Sequence, residues 1–258
     1  MTMDNRLEVL VVGATGSIGR HVVEEALRAG HRVRALVRNG AGARLPGEAD
    51  ICVGDLTRPE TLSDAVADIT GVVFVHGTYG SNAAAEAVDY GGVRNVLEAL
   101  RGRPVTVALM TAIGVTDRKG AHDWKRRAER LVRASGGPYT IVRPGWFDYN
   151  TPDQRHLAFL QGDTRQSGSP RDGVIARAQV AKVLVAALTS SAAHGKTLEL
   201  VAVAGEAQVK LDDMFRNLDI DAEAGLDGAH DAKNMPLDRE PGEVLSDLDR
   251  TRRSRRYP

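Results

Sequence analysis

The stretch Val9-Leu10-Val11-Val12-Gly13-Ala14-Thr15-Gly16-Ser17-Ile18-Gly19-Arg20 decides how this chain is read. An apolar, β-branched run feeds a turn with glycine at 13, 16 and 19, and a helical pattern follows at once. Glycines so spaced permit a tight strand-to-helix turn, let the backbone approach a ligand, and let helix pack closely on strand. The helix then begins with unpaired N–H groups and the positive end of its dipole facing that ligand, which suits a pyrophosphate. Gly13, Thr15, Gly16, Ser17, Ile18 and Gly19 are therefore the first candidate ligand residues.

Outward from that turn, strands are expected at 8–12, 32–37, 49–53, 71–75, 105–110, 139–142 and 197–203. Helices are expected at 19–29, with Gly30 as the C′ residue, at 59–67 with Thr57 as cap, and at 82–100, interrupted in composition by Gly91-Gly92. Two more are expected at 124–134, stopped by Ser135-Gly136-Gly137-Pro138, and at 177–190. The first five strands are continuous apolar runs, as parallel strands covered on both faces are. Alternating βα units of this spacing predict an α/β fold, a doubly wound parallel sheet with right-handed crossovers. The ligand crevice then lies at the carboxyl ends of strands one, two, four and five.

Residues 206–258 differ, being rich in Asp, Glu, Gly and Pro and ending in an arginine cluster at 250–256. Apolar patches at 211–218 and 244–248 are candidate helices in what otherwise reads as an irregular surface arm or disordered tail. The sharper reading is an arm that packs on a neighbouring subunit, giving a homo-oligomer, or over the substrate opening. The arginine cluster has no aromatic stacking platform, so it reads as a solvated end and not as a nucleic-acid site.

Composition narrows the function classes. The 258 residues carry 34 basic and 34 acidic side chains, so no global field draws the chain to nucleic acid or membrane. A single cysteine, Cys52, excludes an intramolecular disulfide framework, fits a reducing cytosol, and is expected as a buried small hydrophobe. No apolar segment approaches the ~18–20 residues a membrane helix needs, and the N-terminus shows no basic region followed by a separate apolar one. A cytoplasmic protein is expected. Arginine outnumbers lysine and Ala and Gly abound, which hints at a GC-rich bacterial genome. Seven histidines, at 21, 31, 76, 122, 156, 194 and 230, show no metal-ligand spacing. The turn lacks the Gly-Lys-Ser/Thr ending of an NTPase loop, and no Gly-x-Ser-x-Gly elbow is present.

The second strand ends in Val37-Arg38-Asn39. An Asp or Glu there would accept from the ribose 2′-hydroxyl of NAD and repel the extra phosphate of NADP. Arg38 instead offers a guanidinium that can grip a 2′-phosphate and stack on adenine, so NADP(H) is the expected cofactor. Asp55 in Gly54-Asp55-Leu56 is placed to accept from the adenine amino group or to cap its own turn, with Leu56 packing on the ring. His76-Gly77 ends strand four, where a small residue lets the ribose approach.

With these pieces placed, the chain resembles the short-chain dehydrogenase/reductase superfamily, and within it the atypical NmrA-like and isoflavone-reductase-like NAD(P)-binding proteins. The matching segments are the glycine turn, Gly54-Asp55-Leu56, Val88-Asp89-Tyr90-Gly91-Gly92-Val93, Met110-Thr111-Ala112-Ile113-Gly114-Val115, Lys125 with Glu129, and Tyr139-Thr140-Ile141-Val142-Arg143-Pro144-Gly145. The resemblance implies a Rossmann domain over 1–205, with substrate-site elements at 144–175, followed by the 206–258 arm.

The resemblance also implies chemistry. Hydride-transferring members use a Ser or Thr after strand five and a Tyr and Lys four residues apart on the next helix. Thr111 resembles the hydroxyl member and Lys125 the lysine, which would also hold the nicotinamide ribose. The tyrosine position holds Ala121, which sets classical alcohol oxidation aside. His122, one residue along, is an alternative proton donor. Lys125 is also a candidate acid or base, as isoflavone-reductase-like members imply. Activated acceptors such as quinones, flavins or enones demand the least acid help. Tyr79, Trp146, Phe147 and Tyr149 are candidates for an aromatic substrate wall or for core packing. Pro144, by resemblance, shapes the loop near the nicotinamide carboxamide. The leading expectation is an NADPH-dependent oxidoreductase acting on a small organic molecule. The alternatives are a non-catalytic NADP(H)-sensing regulator of the NmrA-like kind and an isomerase with a retained cofactor.

Overall fold

A computed structural model describes residues 6–254. The reading of the extreme N-terminus, and Arg255 and Arg256 of the arginine cluster, fall outside the described residues.

β1 (Glu8–Val12) sits inside the sheet because each of Val9, Leu10, Val11 and Val12 is fully buried. Successive side chains of a strand point to opposite faces. Val9 and Val11 meet Val22 and Val23 of α1 (Gly19–Arg28) and Val180 and Leu184 of α5 (Arg177–Thr189). Leu10 and Val12 belong to one buried cluster with Val93 and Val96 of α3 (Gly91–Leu100), Leu131 and Val132 of α4 (Ala121–Ser135), and Val244 and Leu248 of α7 (Gly242–Ser254), which packs on α3 and α4. Each such side chain contributes about 1.5–3 kcal/mol when fully withdrawn from water. The two helical layers therefore follow from the unbroken apolar run.

The other strands are β2 (Arg32–Val37), β3 (Asp50–Val53), β4 (Gly71–Phe74), β5 (Thr106–Met110), β6 (Tyr139–Pro144), β7 (Trp146–Phe147), β8 (His156–Leu160), β9 (Val174–Ile175) and β10 (Lys196–Val203). Their order is β3-β2-β1-β4-β5-β6-β10-β9-β7, with β8 paired to β10. From β3 to β10 the first seven are mutually parallel; β8 and β9 run antiparallel to β10. This is a Rossmann-like sheet whose order reverses between β1 and β4, the switch point where ligands bind at carboxyl ends. Val12 aligns with Phe74, and Phe74 with Leu109, so those ends are level.

Several expectations need correction. Residues 59–67 form only a short turn, Pro59–Thr61, and not a helix. The carbonyls of Asp64, Ala65 and Ala67 face the Arg34 guanidinium and that of Val66 faces Arg103, so the stretch keeps only isolated turn bonds such as Ala67 N–H to Asp64. Thr57 is no cap; its N–H and hydroxyl both donate to Asp55. Cys52 is half-buried, because β3 is an edge strand with Ile51 and Val53 exposed. The helix expected at 82–100 is a short α2 (Asn82–Ala84), a π-helical stretch Ala85–Tyr90, and then α3. The helix expected at 124–134 begins earlier, at Ala121, which brings His122 from an expected loop onto α4.

The largest correction concerns the tail. The apolar patches become α6 (Asp212–Arg216) and α7, and Phe215 of α6 packs its ring against Phe159. The irregular chain between them is anchored, not disordered. Arg126, Arg127, Glu129, Arg130 and Arg133 of α4 are all buried beneath it. Arg126 and Arg130 share Asp227 at 3.1 and 2.9 Å, Arg127 holds Glu240 at 2.6 Å, and Arg133 holds Asp221 at 3.1 Å. Backbone carbonyls of Ala232 and Met235 accept from Arg126 and Arg130. The arm is thus engaged with α4 of its own chain.

Candidate functional site

The glycine turn is built as its spacing demands. Gly13 has φ +92°, and a Cβ there would stand 2.7 Å from the backbone nitrogen of His76. A Cβ on Gly19 would stand 2.0 Å from the Gly13 carbonyl oxygen, so α1 can start against the turn only without a side chain. The Gly16 N–H donates to that same carbonyl at 2.9 Å. Thr15, Gly16 and Ser17 are exposed, and no side chain caps α1. Bare N–H groups at an uncapped helix start form an anion site. These residues fit a dinucleotide diphosphate.

On the adenosine side, Arg38 is exposed at the end of β2 and makes no hydrogen bond among the described residues. Asp55 accepts from the Thr57 N–H at 2.9 Å and hydroxyl at 2.8 Å, and these bonds, the backbone one foremost, hold its carboxyl below the usual range. Its turn-capping role is therefore observed. Leu56 is half-buried, with its carbonyl pinned by Asn95 at 2.6 Å. His76 is held at Nε2 by the Val88 carbonyl at 3.0 Å. Burial, more than any charge, lowers its pKa to about 4, so the imidazole is neutral near pH 7. Nε2 then donates to Val88, and Nδ1 is left as a buried acceptor without a partner among the described residues.

Lys125 stands beside Gly77, where a Cβ would lie 3.5 Å from both Lys125 Nζ and Asp89 Oδ1. Its partner is Asp89 at 3.2 Å and not Glu129, its neighbour one helical turn on. Asp89 also accepts from the N–H and hydroxyl of Thr78, at 3.0 and 3.1 Å. Glu129 points the other way, into a buried network: Thr111 donates its hydroxyl to Glu129 Oε1 at 2.7 Å. Arg143 forks between Glu129 (3.0 and 2.7 Å) and Asp231 of the arm (2.7 Å to each oxygen). Burial pushes the Glu129 carboxyl up, but the Arg143 and Arg133 guanidiniums outweigh it, so its pKa lies below the ordinary value. An ionised carboxylate only accepts. The Thr111 proton is therefore committed to Glu129, and the hydroxyl can offer other groups only its lone pairs. His122 binds the Gly114 carbonyl through Nδ1 at 3.0 Å.

Of the aromatic candidates, Trp146 (37% exposed) and Tyr149 meet edge to face at 6.1 Å, so Trp146 is not core. Phe147 is half-buried under the Arg177 guanidinium, 5.1 Å from its ring centre. Tyr79 is 96% exposed and joins no ring contact among the described residues. Pro144 is buried at the end of β6, its carbonyl accepting from Ile113 at 3.1 Å. Arg177, unremarked in the sequence, donates its Nε to the Ser17 hydroxyl at 3.1 Å. The sequence reading also passed over Asp89 and Glu129 as the partners that set Lys125 and Thr111. Asp89 was signalled only by its place in the Val88-Asp89-Tyr90-Gly91-Gly92-Val93 segment; nothing local signals Arg177.

Comparison with known proteins agrees with this geometry. A photosystem II assembly factor, Ycf39, of Trieres chinensis is 36% identical over 161 residues, covering 60% of this chain and 50% of its own length. A sanguinarine reductase of Eschscholzia californica is 26% identical over 244 residues, covering 76% of this chain and 89% of its own. The chain spans half or less of the length of several curated relatives that it matches. A solved structure from Bacillus halodurans, named for an NAD-dependent epimerase/dehydratase, superposes with a TM-score of 0.68 at 26% identity, over 82% of this chain and all of that one. A family model described as NAD(P)H-binding matches residues 13–191, from the first glycine of the turn to the residue that follows α5 by two. With most of its length inside that match and the glycine cradle formed, this chain belongs to the NAD(P)H-binding family.

Proposed function

We propose that this chain is an NADPH-dependent oxidoreductase of a small, activated organic acceptor such as a quinone, enone or carbonyl, working in a reducing cytosol. The observation that carries the reading is the exposed, uncapped glycine turn with the unengaged Arg38 guanidinium one strand away. Arg38 would hold the adenosine 2′-phosphate, the turn the diphosphate, and Lys125, positioned by its contact with Asp89, the nicotinamide ribose. When bound, the nicotinamide supplies hydride; the balancing proton comes from water, since Ala121 leaves no phenol. Thr111 does not donate to an acceptor oxygen, because its proton rests on Glu129; it orients an N–H or O–H of the bound molecules. Trp146 and Tyr149 offer an apolar wall for a planar acceptor. The likeness to a sanguinarine reductase supports a reductase.

A second reading, a dinucleotide sensor without turnover, is favoured by Ala121 and by the committed Thr111 hydroxyl, and by the likeness to an assembly factor. Calorimetry with NADP+ and NAD+, followed by NADPH oxidation with quinones, enones and flavins, tests both. The oxidoreductase reading expects tighter NADP+ binding, a preference reversed in Arg38→Asp, and turnover reduced in Lys125→Ala. Binding of neither nucleotide overturns both readings; binding without turnover across the panel selects the sensor.

A further inference from the structure

Arg177 is the first residue of α5, the helix that packs beside α1 in the same layer, so its side chain starts next to the glycine turn. Its guanidinium is fixed by three different neighbours. Nε donates to Ser17 Oγ at 3.1 Å, Nη1 is paired with Asp148, and the plane lies over Phe147. Nη2 makes no hydrogen bond among the described residues, and the side chain keeps 28% of its exposure. Asp148 accepts from the Arg177 N–H at 3.2 Å as well, so it holds both ends of the residue, and it does so from a left-handed backbone, φ +60°. Residues held in such conformations cluster where a side chain must be aimed. Ser17 belongs to the bare end of α1, where an anion would sit. A guanidinium within hydrogen-bond reach of that residue, with an unused N–H, is a cation already paid for in entropy: stacking and the carboxylate have fixed it beforehand.

We propose that Arg177 is a diphosphate ligand that closes the cofactor site from the substrate side, with Asp148 as the anion that competes for it. The inference rests on the nucleotide reading above. It assigns Asp148 a definite sign: as competitor, it weakens nucleotide binding while it aims the arginine. A purely structural Arg177–Asp148 pair would give the same sign for loss of either member.

The test is calorimetry of the full chain with NADP+ and, separately, with adenosine 2′-monophosphate, which carries the 2′-phosphate but no diphosphate. Arg177→Gln is expected to weaken NADP+ binding by about tenfold or more, the scale of one lost charged hydrogen bond, and to leave adenosine 2′-monophosphate within twofold. Arg177→Lys, which keeps the charge without the fork, is expected to fall between. Asp148→Asn is expected to tighten NADP+ binding severalfold. Arg38→Ala should weaken both ligands. If Arg177→Gln retains wild-type NADP+ affinity, or if Asp148→Asn weakens NADP+ as Arg177→Gln does, the assignment is wrong while the nucleotide reading stands. If the wild-type chain binds neither ligand, the nucleotide reading itself falls.

Discussion

The crevice and the arm contact are both polar, and they are opposites. At the crevice, polar groups are available among the described residues: the N–H groups of the exposed Thr15 and Ser17, a guanidinium at Arg38 without a hydrogen bond, an unused nitrogen on Arg177. Between α4 and the arm, most polar groups are consumed, Arg130 Nη1 being the buried exception among the described residues, 3.9 Å from Glu240. Arg143 is fully buried and has three carboxylates around it, Glu129, Asp231 and Glu199, at 2.7 to 3.4 Å. Burying a charge is tolerable only when it is paired and hydrogen-bonded. Polarity left over is a site for a ligand; polarity used up is architecture. The two meet at one atom pair, because Thr111, at the end of β5, donates into the consumed network.

The comparison can be broken first at Arg143. Replacing it by Met leaves Glu129 and Asp231 buried without their main partner, and should cost about 3–5 kcal/mol of stability in urea unfolding. Arg38→Met should stay within about 0.5 kcal/mol, as surface substitutions do. Equal losses would show that the two regions do not differ as described.

A pH series sharpens the contrast. Burial pushes the Glu199 carboxyl up to about 7, against the pull of Arg143. Between its ordinary value of 4.5 and that raised one, the folded state keeps a proton that the unfolded state has released. Stability from this group is therefore complete below the lower value, declines as pH rises, and is gone above the upper one. Glu199→Gln should gain on the wild type by on the order of 1–3 kcal/mol between pH 5 and pH 8. A difference that is flat with pH, or that moves in favour of the wild type toward pH 8, contradicts the raised value. A small effect also belongs to the rim of the arm contact, where Arg118 meets Asp123 at 3.0 Å and is 39% exposed. Arg118→Ala should cost no more than about 1 kcal/mol, less still in high salt.

Much of the fold was readable because β1 and its neighbours carry their burial in one local pattern. The turn was readable because a glycine cradle is written in consecutive residues. What escaped reading depended on distant partners. The segment Arg126-Arg127-Ala128-Glu129-Arg130 looks like a solvated face until Asp227 and Glu240 are brought onto it. The single local hint was an excess of arginine on α4 over acids on the same helix. Residues 59–67 failed for a related reason, since the carbonyls that a helix would use are taken by Arg34 and Arg103 from elsewhere in the chain. Arg177 was read as an ordinary helix start; only the folded chain brings Ser17 to it.

An attachment made of guanidinium forks and carboxylates has a property that greasy contacts lack. Leucines can slide past one another and still find neighbours, but a shift of the 221–240 segment by one residue would strand several buried cations at once. The segment therefore has a single register on its helix. Grafting it onto a relative, or shortening it, would require exchanging residues 121–135 in the same operation.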